Sequence, residues 1–371
     1  MRKGVSAMKK TEINCTFDYD VAVIGGGPAG ATFARLCADR RIIVLDQLNS
    51  DAVDKNGMKR GKCCGGLLAP DAQRQLALQG LTLPRDILVD PQIFAVRTID
   101  LSSDAPERYY QRSYINISRA RFDEWLRSFL PADVMVRGAA VQSISRLDQE
   151  GYSIIYRKEG RQHSFTARYV VGADGGYSLV RRTFFPDRKI RKYAAVQEWY
   201  QAENRSPFYG ALFDAELTDC YGWLISKDNY MVLGGAFPPQ EAIRRFEKLR
   251  NKLQKRGITF GAPLKREGCM VCRPNSAKSV LTGREGAFLV GEAAGFISPS
   301  SLEGISWALE SGALLAGAMM GSPKDIHSRY HSATRPMRNR LMGKLLKSPF
   351  LYTPLIRRII LRTGVMSLPI M

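Results

Sequence analysis

The stretch Asp20-Val21-Ala22-Val23-Ile24-Gly25-Gly26-Gly27-Pro28-Ala29-Gly30 breaks an apolar run into glycines and passes into a helix-compatible segment, Ala31 to Asp39. It predicts a strand, a phosphate-binding turn and a helix. Gly25 allows the tight turn and Gly27 lets the backbone approach a pyrophosphate. Gly30 lets the helix pack on the strand, and Pro28 and Ala29 stand where the helix N-terminus offers free N–H groups to an anion. Arg41-Ile42-Ile43-Val44-Leu45 reads as the next strand and ends on Asp46, about twenty residues past the first glycine, where an acid accepts hydrogen bonds from an adenosine ribose. A lone G-x-G-x-x-G is common in plain turns and a strand-ending Asp is commonly solvated. Strand, glycine turn, helix, strand and acid in this order point to a bound dinucleotide.

The chain has 371 residues, 45% of them hydrophobic, enough to bury a large core in two or three domains. Its 55 Lys and Arg against 35 Asp and Glu give a net charge of +20, which favours an anionic partner or surface. No nucleic-acid motif accompanies that charge, and no nucleic-acid partner is expected. From Ile326 to Met371 there is no Asp or Glu, while Arg329, Arg335, Arg338, Arg340, Lys344, Lys347, Arg357, Arg358 and Arg362 alternate with apolar residues at roughly helical spacing. Such a pattern fits a helix lying on an anionic membrane surface, and equally a helix pair docked on the protein with its basic face in water.

Seven cysteines without disulfide-framework spacing suggest a reducing, cytoplasmic compartment, with a peripheral position at the inner membrane face if the tail binds lipid. Cys269 and Cys272 form a C-x-x-C without a second pair or a His cluster, so no metal site is expected. Residues 1–16 are polar and read as a disordered lead-in without a secretory signal, and no run reaches the eighteen or so apolar residues that span a bilayer.

Past a polar stretch, Lys62-Cys63-Cys64-Gly65-Gly66-Leu67-Leu68 sets a glycine pair beside cysteines. The glycines permit close approach to a flat ring or a tight turn, and a cysteine there either faces a reactive atom or is a small buried residue. Pro91 to Leu101 and Arg108 to Ile117 predict a hairpin, and Ser118 caps a helix with Phe122, Trp125, Leu126 and Phe129 on a core face. Val134 to Val141, Tyr152 to Arg157 and His163 to Arg168 predict a small antiparallel layer leading into an apolar strand that ends on Asp174 between glycines. The same grammar recurs at Ala287 to Pro299, where Glu292 offers a carboxylate to a polyol and a helix beginning near Glu303-Gly304-Ile305 aims its N-terminus at a ring carbonyl. Tyr193 to Phe237 reads as an antiparallel sheet suited to a greasy pocket, with Tyr221 and Trp223 as substrate contacts or plain core, and Gln240 to Arg256 as a basic, solvated helix.

Taken together, these blocks resemble the p-hydroxybenzoate-hydroxylase and geranylgeranyl-reductase superfamily of FAD proteins. Four motifs agree in order and spacing: the glycine turn with Asp46, the R-x-x-F-D of Arg119 to Asp123, Asp174-Gly175, and the G-[DE]-A-A-G block from Gly291 to Gly295. Within it the chain is similar to the geranylgeranyl reductase group, most closely the bacterial CbrA proteins, with Cys64-Gly65-Gly66 matching the C-x-G turn set against the flavin. The resemblance spans nearly everything from Phe17 to Leu368 and implies an α/β (α+β) fold. It comprises a discontinuous Rossmann-like FAD-binding domain (17–75, 115–185, 280–325), an inserted antiparallel-sheet substrate domain (76–114, 186–279) and basic C-terminal helices (326–371). It implies pyrophosphate contact by Gly25, Gly27 and Gly30, ribose contact by Asp46, flavin contact by Arg119 and the Cys64 turn, ribityl contact by Glu292, and cofactor contact by Asp174, Gly291, Gly295, Gly304 and Ile305. Two departures stand out. Glu292 replaces the usual Asp, and Tyr221-Gly222-Trp223-Leu224-Ile225-Ser226 keeps the aromatic pair of Y-x-W-x-F-P without its F-P.

The activity implied is hydride transfer from reduced FAD to a C=C bond of an isoprenoid or similar apolar lipid, with Cys64 at the reacting face and electrons from NAD(P)H or an electron carrier. An FAD monooxygenase acting on an apolar or aromatic substrate, and a non-catalytic membrane-associated flavin- or lipid-binding protein, are the alternatives.

Overall fold

A computed structural model describes residues 17–48, 61–148, 150–202 and 206–369. The N-terminal lead-in and residues 49–60 of the polar stretch lie outside the described residues. In chain order the first half runs β1 (Tyr19–Ile24), α1 (Pro28–Leu36), β2 (Ile42–Asp46), β3 (Leu67–Leu68), α2 (Pro70–Leu78), β4 (Ile93–Asp100), β5 (Arg108–Asn116), α3 (Arg119–Arg127), β6 (Met135–Arg137), β7 (Ala140–Arg146), β8 (Tyr152–Lys158) and β9 (Arg161–Gly172). The second half runs α4 (Leu179–Phe184), β10 (Arg191–Gln201), β11 (Phe208–Phe213), β12 (Gly222–Lys227), β13 (Tyr230–Phe237), α5 (Ala242–Lys255), β14 (Lys265–Arg273), β15 (Gly283–Arg284), β16 (Ala287–Leu289), α6 (Ile305–Met319), α7 (Ile326–Ala333), α8 (Arg335–Tyr352) and α9 (Pro354–Thr363).

The quoted opening stretch becomes β1, the turn and α1. Val21 to Ile24 are buried on both faces, as a central parallel strand requires. Val23 pairs with Val44 of β2 on one side and Val171 of β9 on the other, both parallel. The sheet runs β15-β16-β9-β1-β2-β6, with β7 and β8 joined through β8 to β9. Val134 to Val141 is therefore not one strand of an antiparallel layer. Gly138 at a positive φ of 70° divides it into β6, parallel to β2, and β7, antiparallel to β8.

A second sheet runs β14-β10-β13-β12-β11-β4-β5-β3, antiparallel except where β4 meets β11. The predicted hairpin is β4–β5. Leu67 and Leu68, directly after the glycine pair, pair with β5, so the segment that follows the first βαβ unit also edges this second sheet. The basic helix α5 is not wholly solvated, since Phe246, Leu249 and Leu253 pack on Val196, Leu233 and Phe237 behind the sheet. In α3 the capped start holds, with Phe122 and Leu126 buried, but Phe129 lies past the last turn, is exposed and meets Trp125 edge-on.

The C-terminal helices dock on the protein. Met337 and Leu341 of α8 enter the core of the first sheet. From α9, Leu361 is buried and the Arg357 guanidinium reaches both oxygens of buried Asp100, at 2.9 and 3.2 Å. Arg358 and Arg362 share Asp104, and the Tyr352 hydroxyl donates to the Ser300 carbonyl at 2.6 Å. Arg340, Lys344, Arg357, Arg358 and Arg362 of the tail thus find acids in the body of the protein.

Arg357→Met removes the cation opposite a carboxylate that stays buried, a loss of about 3–5 kcal/mol. Urea unfolding should show that loss together with detachment of α9, whereas an unchanged midpoint would mean that the tail is not docked.

Candidate active site

Gly25 has a φ of +105°, and a side chain there would sit 2.5 Å from the Ala173 carbonyl oxygen. Gly30 has no more room, since its Cβ would lie 2.0 Å from the Gly25 carbonyl oxygen. Gly30 therefore closes the helix onto the turn from behind. Gly27 differs: nothing lies within 4 Å of where its Cβ would be, and it borders a cavity of about 1510 Å³. It is also the N-cap of α1 and makes no side-chain cap, so the amides of Ala29 and Gly30 stay free of helix bonds. An anion at this turn meets open backbone donors and the positive end of a helix.

Asp46 borders the same cavity, buried at the end of β2. Burial raises its carboxyl, opposed by Arg127, whose guanidinium lies 3.1 Å from Oδ2 and donates through Nε to the Gly26 carbonyl at 3.0 Å. Oδ1 accepts from the Leu48 amide at 3.0 Å. Arg127 thus ties the predicted ribose acceptor to the predicted phosphate turn. It was legible in principle, because Arg119, Asp123 and Arg127 stand at i, i+4 and i+8 on one face of α3.

Arg119 donates to Asp123 at 2.8 Å and reaches the Cys64 sulfur, its charge held by Asp123 against burial. The Cys64 sulfur also accepts from the Gly66 amide at 3.4 Å. This turn is held from the second sheet by Lys227, a residue the sequence reading did not single out. Its buried ammonium donates to Asn116 Oδ1 at 2.7 Å, the Ile117 carbonyl at 2.8 Å and the Gly66 carbonyl at 3.2 Å. Gly65 is just as tightly placed, its absent Cβ being 2.7 Å from Ile225 Cδ1. Ile225 occupies the first of the two positions where the reductase pattern has F-P.

Glu292 and Asp174 are both tied into the protein by hydrogen bonds. Glu292 takes Lys62 on Oε2 at 2.6 Å and the Cys272 amide on Oε1 at 2.7 Å, a brace between the glycine-pair loop and β14. Asp174 uses Oδ2 to cap α4 through the amides of Leu179 and Val180, at 2.6 and 3.3 Å, while its buried Oδ1 has no protein partner. Both residues border the cavity. Gly304 caps α6 without a side-chain bond, so the helix opens its first-turn amides to the cavity at Ile305 and Ser306. Gly291 and Gly295 lie behind the wall, where Cβ atoms would approach Ala29 Cβ to 3.0 Å and the Ser279 carbonyl to 2.7 Å. The C-x-x-C splits: the Cys269 thiol donates to the Cys63 carbonyl at 3.5 Å, and Cys272 donates to the Gly176 carbonyl at 3.4 Å. Among the described residues no group of three or more His, Cys, Asp or Glu is placed to hold a metal.

The other half of the cavity is walled by the second sheet. Tyr221 and Trp223 border it and are also core, the indole lying where a Cβ on Gly234 would be 2.3 Å away. One polar group interrupts this wall. Tyr114 donates its hydroxyl to Glu303 at 2.8 Å, and Arg112 approaches the same carboxylate at 3.3 Å. Burial and Glu303 push the Tyr114 phenol up, so it keeps its proton. Tyr110, Arg112 and Tyr114 alternate on β5 and all border the cavity, a period-2 signal present in the sequence.

Burial lowers the Lys227 ammonium from its ordinary 10.5 to about 7. Between about pH 7 and 10.5 the unfolded chain then binds a proton that the folded chain does not, so this group makes stability rise with pH across that window. Unfolding free energies of the native chain minus those of Lys227→Met should rise through the window. A flat difference would mean that the folded ammonium keeps its charge throughout.

No family model matches the chain. It is 45% identical over 353 residues to protein CbrA of Escherichia coli O6:H1 (strain CFT073), covering 95% of each chain. In fold it is similar to a geranylgeranyl bacteriochlorophyll reductase-like protein from Thermoplasma acidophilum, with a TM-score of 0.72 at 19% identity over 93% of this chain and 90% of that one. It is similar also to aklavinone-11 hydroxylase, solved with FAD and aklavinone, with a TM-score of 0.65 at 15% identity over 92% and 70%. The architecture is therefore that of the Rossmann-type FAD-binding flavoproteins, and by its near full-length identity the chain belongs to the CbrA family.

Proposed function

We propose that this chain is an FAD-dependent oxidoreductase that reduces a C=C bond of an isoprenoid or similar apolar lipid, drawing electrons from NAD(P)H or an electron carrier. The observation that carries the reading is continuity: the open glycine turn, the Cys64 loop and the apolar wall of the second sheet border one cavity of about 1510 Å³. A nucleotide cofactor and an apolar ligand would share it, as a flavin reaction requires.

FAD fits the donor and acceptor set. Its pyrophosphate would lie on the amides after Gly27, its adenosine ribose by Asp46 and Arg127, its ribityl hydroxyls by Glu292, and its ring by the Cys64–Gly66 turn and the α6 N-terminus. Bound there, FAD supplies hydride chemistry that no side chain offers. The protein's part is to hold the substrate on the Tyr221–Trp223 wall, exclude water and deliver a proton to the carbon next to the one that accepts hydride. Cys64 and Tyr114 are the donors to weigh. Two N–H donors already point at the Cys64 sulfur, from Arg119 and Gly66, whereas Tyr114 keeps its proton on the Glu303 carboxylate, from which it would turn to a bound substrate. We assign Cys64 to shaping the reacting face and Tyr114 to the proton.

The test is anaerobic. With flavin reduced by dithionite, a geranylgeranyl lipid should reoxidise it without oxygen, and Tyr114→Phe should slow that step at least about tenfold while flavin stays bound. Cys64→Ala should also retain flavin and lose turnover. Reoxidation by air alone, with a transient C4a-adduct band, would replace the reading with a monooxygenase. Lipid binding without turnover under any reductant would leave a binding protein.

A further inference from the structure

The cavity has an outer end, and the residues that form it are unusual for a protein surface. Phe350 at the end of α8 and Met366 after α9 both border the cavity and face outward, 57% and 90% exposed. Around them Leu346, Leu355 and Ile359 are 74%, 67% and 55% exposed. In α9 the i, i+4 pair Arg357 and Leu361 points into the protein, and the i, i+4 pair Leu355 and Ile359 points away from it. A helix docked in water would carry charge on that outer face. Here its cations stand at the flank, with Arg358 and Arg362 side chains about half exposed beside Asp104 and Lys347 exposed next to Leu346.

We infer that the junction of α8 and α9 is a docking mouth for an anionic bilayer, with Leu346, Phe350, Leu355, Ile359 and Met366 entering the acyl region and Lys347, Arg358 and Arg362 at the headgroups. Charge selects this occupant. The segment from Ile326 to Met371 has no acid, the whole chain carries +20, and a second copy would bring the same cationic flank against this one. Among the described residues no helix is long and apolar enough to cross a membrane, so the contact is interfacial. The tail's role differs from that of a free amphipathic helix: its buried face is spent on the protein, and only the outer face and rim remain for lipid. Because rim residues also line the cavity, an apolar chain can pass from the bilayer inward without crossing water. This route rests on the proposed lipid reduction, but docking itself requires neither cofactor nor turnover.

Sedimentation of the full chain with vesicles tests it, using phosphatidylcholine alone and phosphatidylcholine mixed with phosphatidylglycerol. The native chain should bind the mixed vesicles, more weakly at high salt. Leu355→Glu with Ile359→Glu, both on the exposed face, should lower the affinity at least about tenfold at an unchanged melting temperature. Phe350→Trp should show blue-shifted emission on adding mixed vesicles. Failure of the native chain to bind, equal binding by the double variant, or a concentration-dependent dimer that the double variant dissolves would each overturn the inference. Vesicle binding with no lipid-dependent flavin reoxidation would leave it standing and remove the proposed activity instead.

Discussion

One buried lysine of the second sheet fixes the loop that carries Cys64 and the start of α3. Lys227 projects from β12 of the second sheet and donates to the Gly66 carbonyl, the Ile117 carbonyl and Asn116 Oδ1, and the Gly66 carbonyl also takes the Ile117 amide at 2.9 Å. Gly66 belongs to the loop that carries Cys64, and Ile117 directly precedes the Ser118 cap of α3. From that cap the helix carries Arg119 to the Cys64 sulfur and Arg127 to Asp46 and the Gly26 carbonyl. The glycine turn, Asp46 and the Cys64 loop are thereby linked through one helix whose start is held by Lys227 of the second sheet.

That dependence explains which parts of the site could be read from the chain. The turn at Gly25 to Gly30 is local: its glycines answer clashes with atoms close by, and three residue types at fixed spacing are enough to announce it. The α6 N-terminus at Gly304 and Ile305 and the α3 cap at Ser118 are legible for the same reason. Lys227 is not, because a lysine ending an aromatic strand carries no mark of the three distant oxygens it meets. The hydrogen-bond partners of Glu292 and Asp174 were hidden likewise. Both are acids in glycine-rich turns, and only the fold shows that Lys62 and the Cys272 amide occupy one while an oxygen of the other stays free. Phe129 was misplaced because helical periodicity continues in sequence after the helix has stopped at Arg127.

The basic tail shows how total charge misleads when partners are unseen. Arg357 is a core residue whose counter-ion, Asp100, ends a strand far away in sequence. Arg340 meets Glu310 and Lys344 meets Asp71, so much of the excess positive charge holds α8 and α9 over the cavity. What the α8–α9 junction leaves to solvent is chiefly apolar. Phe350 and Met366 border the ligand space and belong at the same time to this exposed apolar surface.

The central claim is that the space behind Gly27 holds FAD, and the most direct measurement is the FAD-to-protein ratio after reconstitution of the native chain and of Gly27→Val, each with its melting temperature. No atom lies within 4 Å of the Gly27 Cβ position, so the substitution adds bulk only where the cofactor would lie. The account predicts one FAD per native chain, loss of FAD in Gly27→Val, and equal melting temperatures for the two chains without cofactor. A native chain that binds no FAD, or a Gly27→Val chain that binds it equally well, would contradict it.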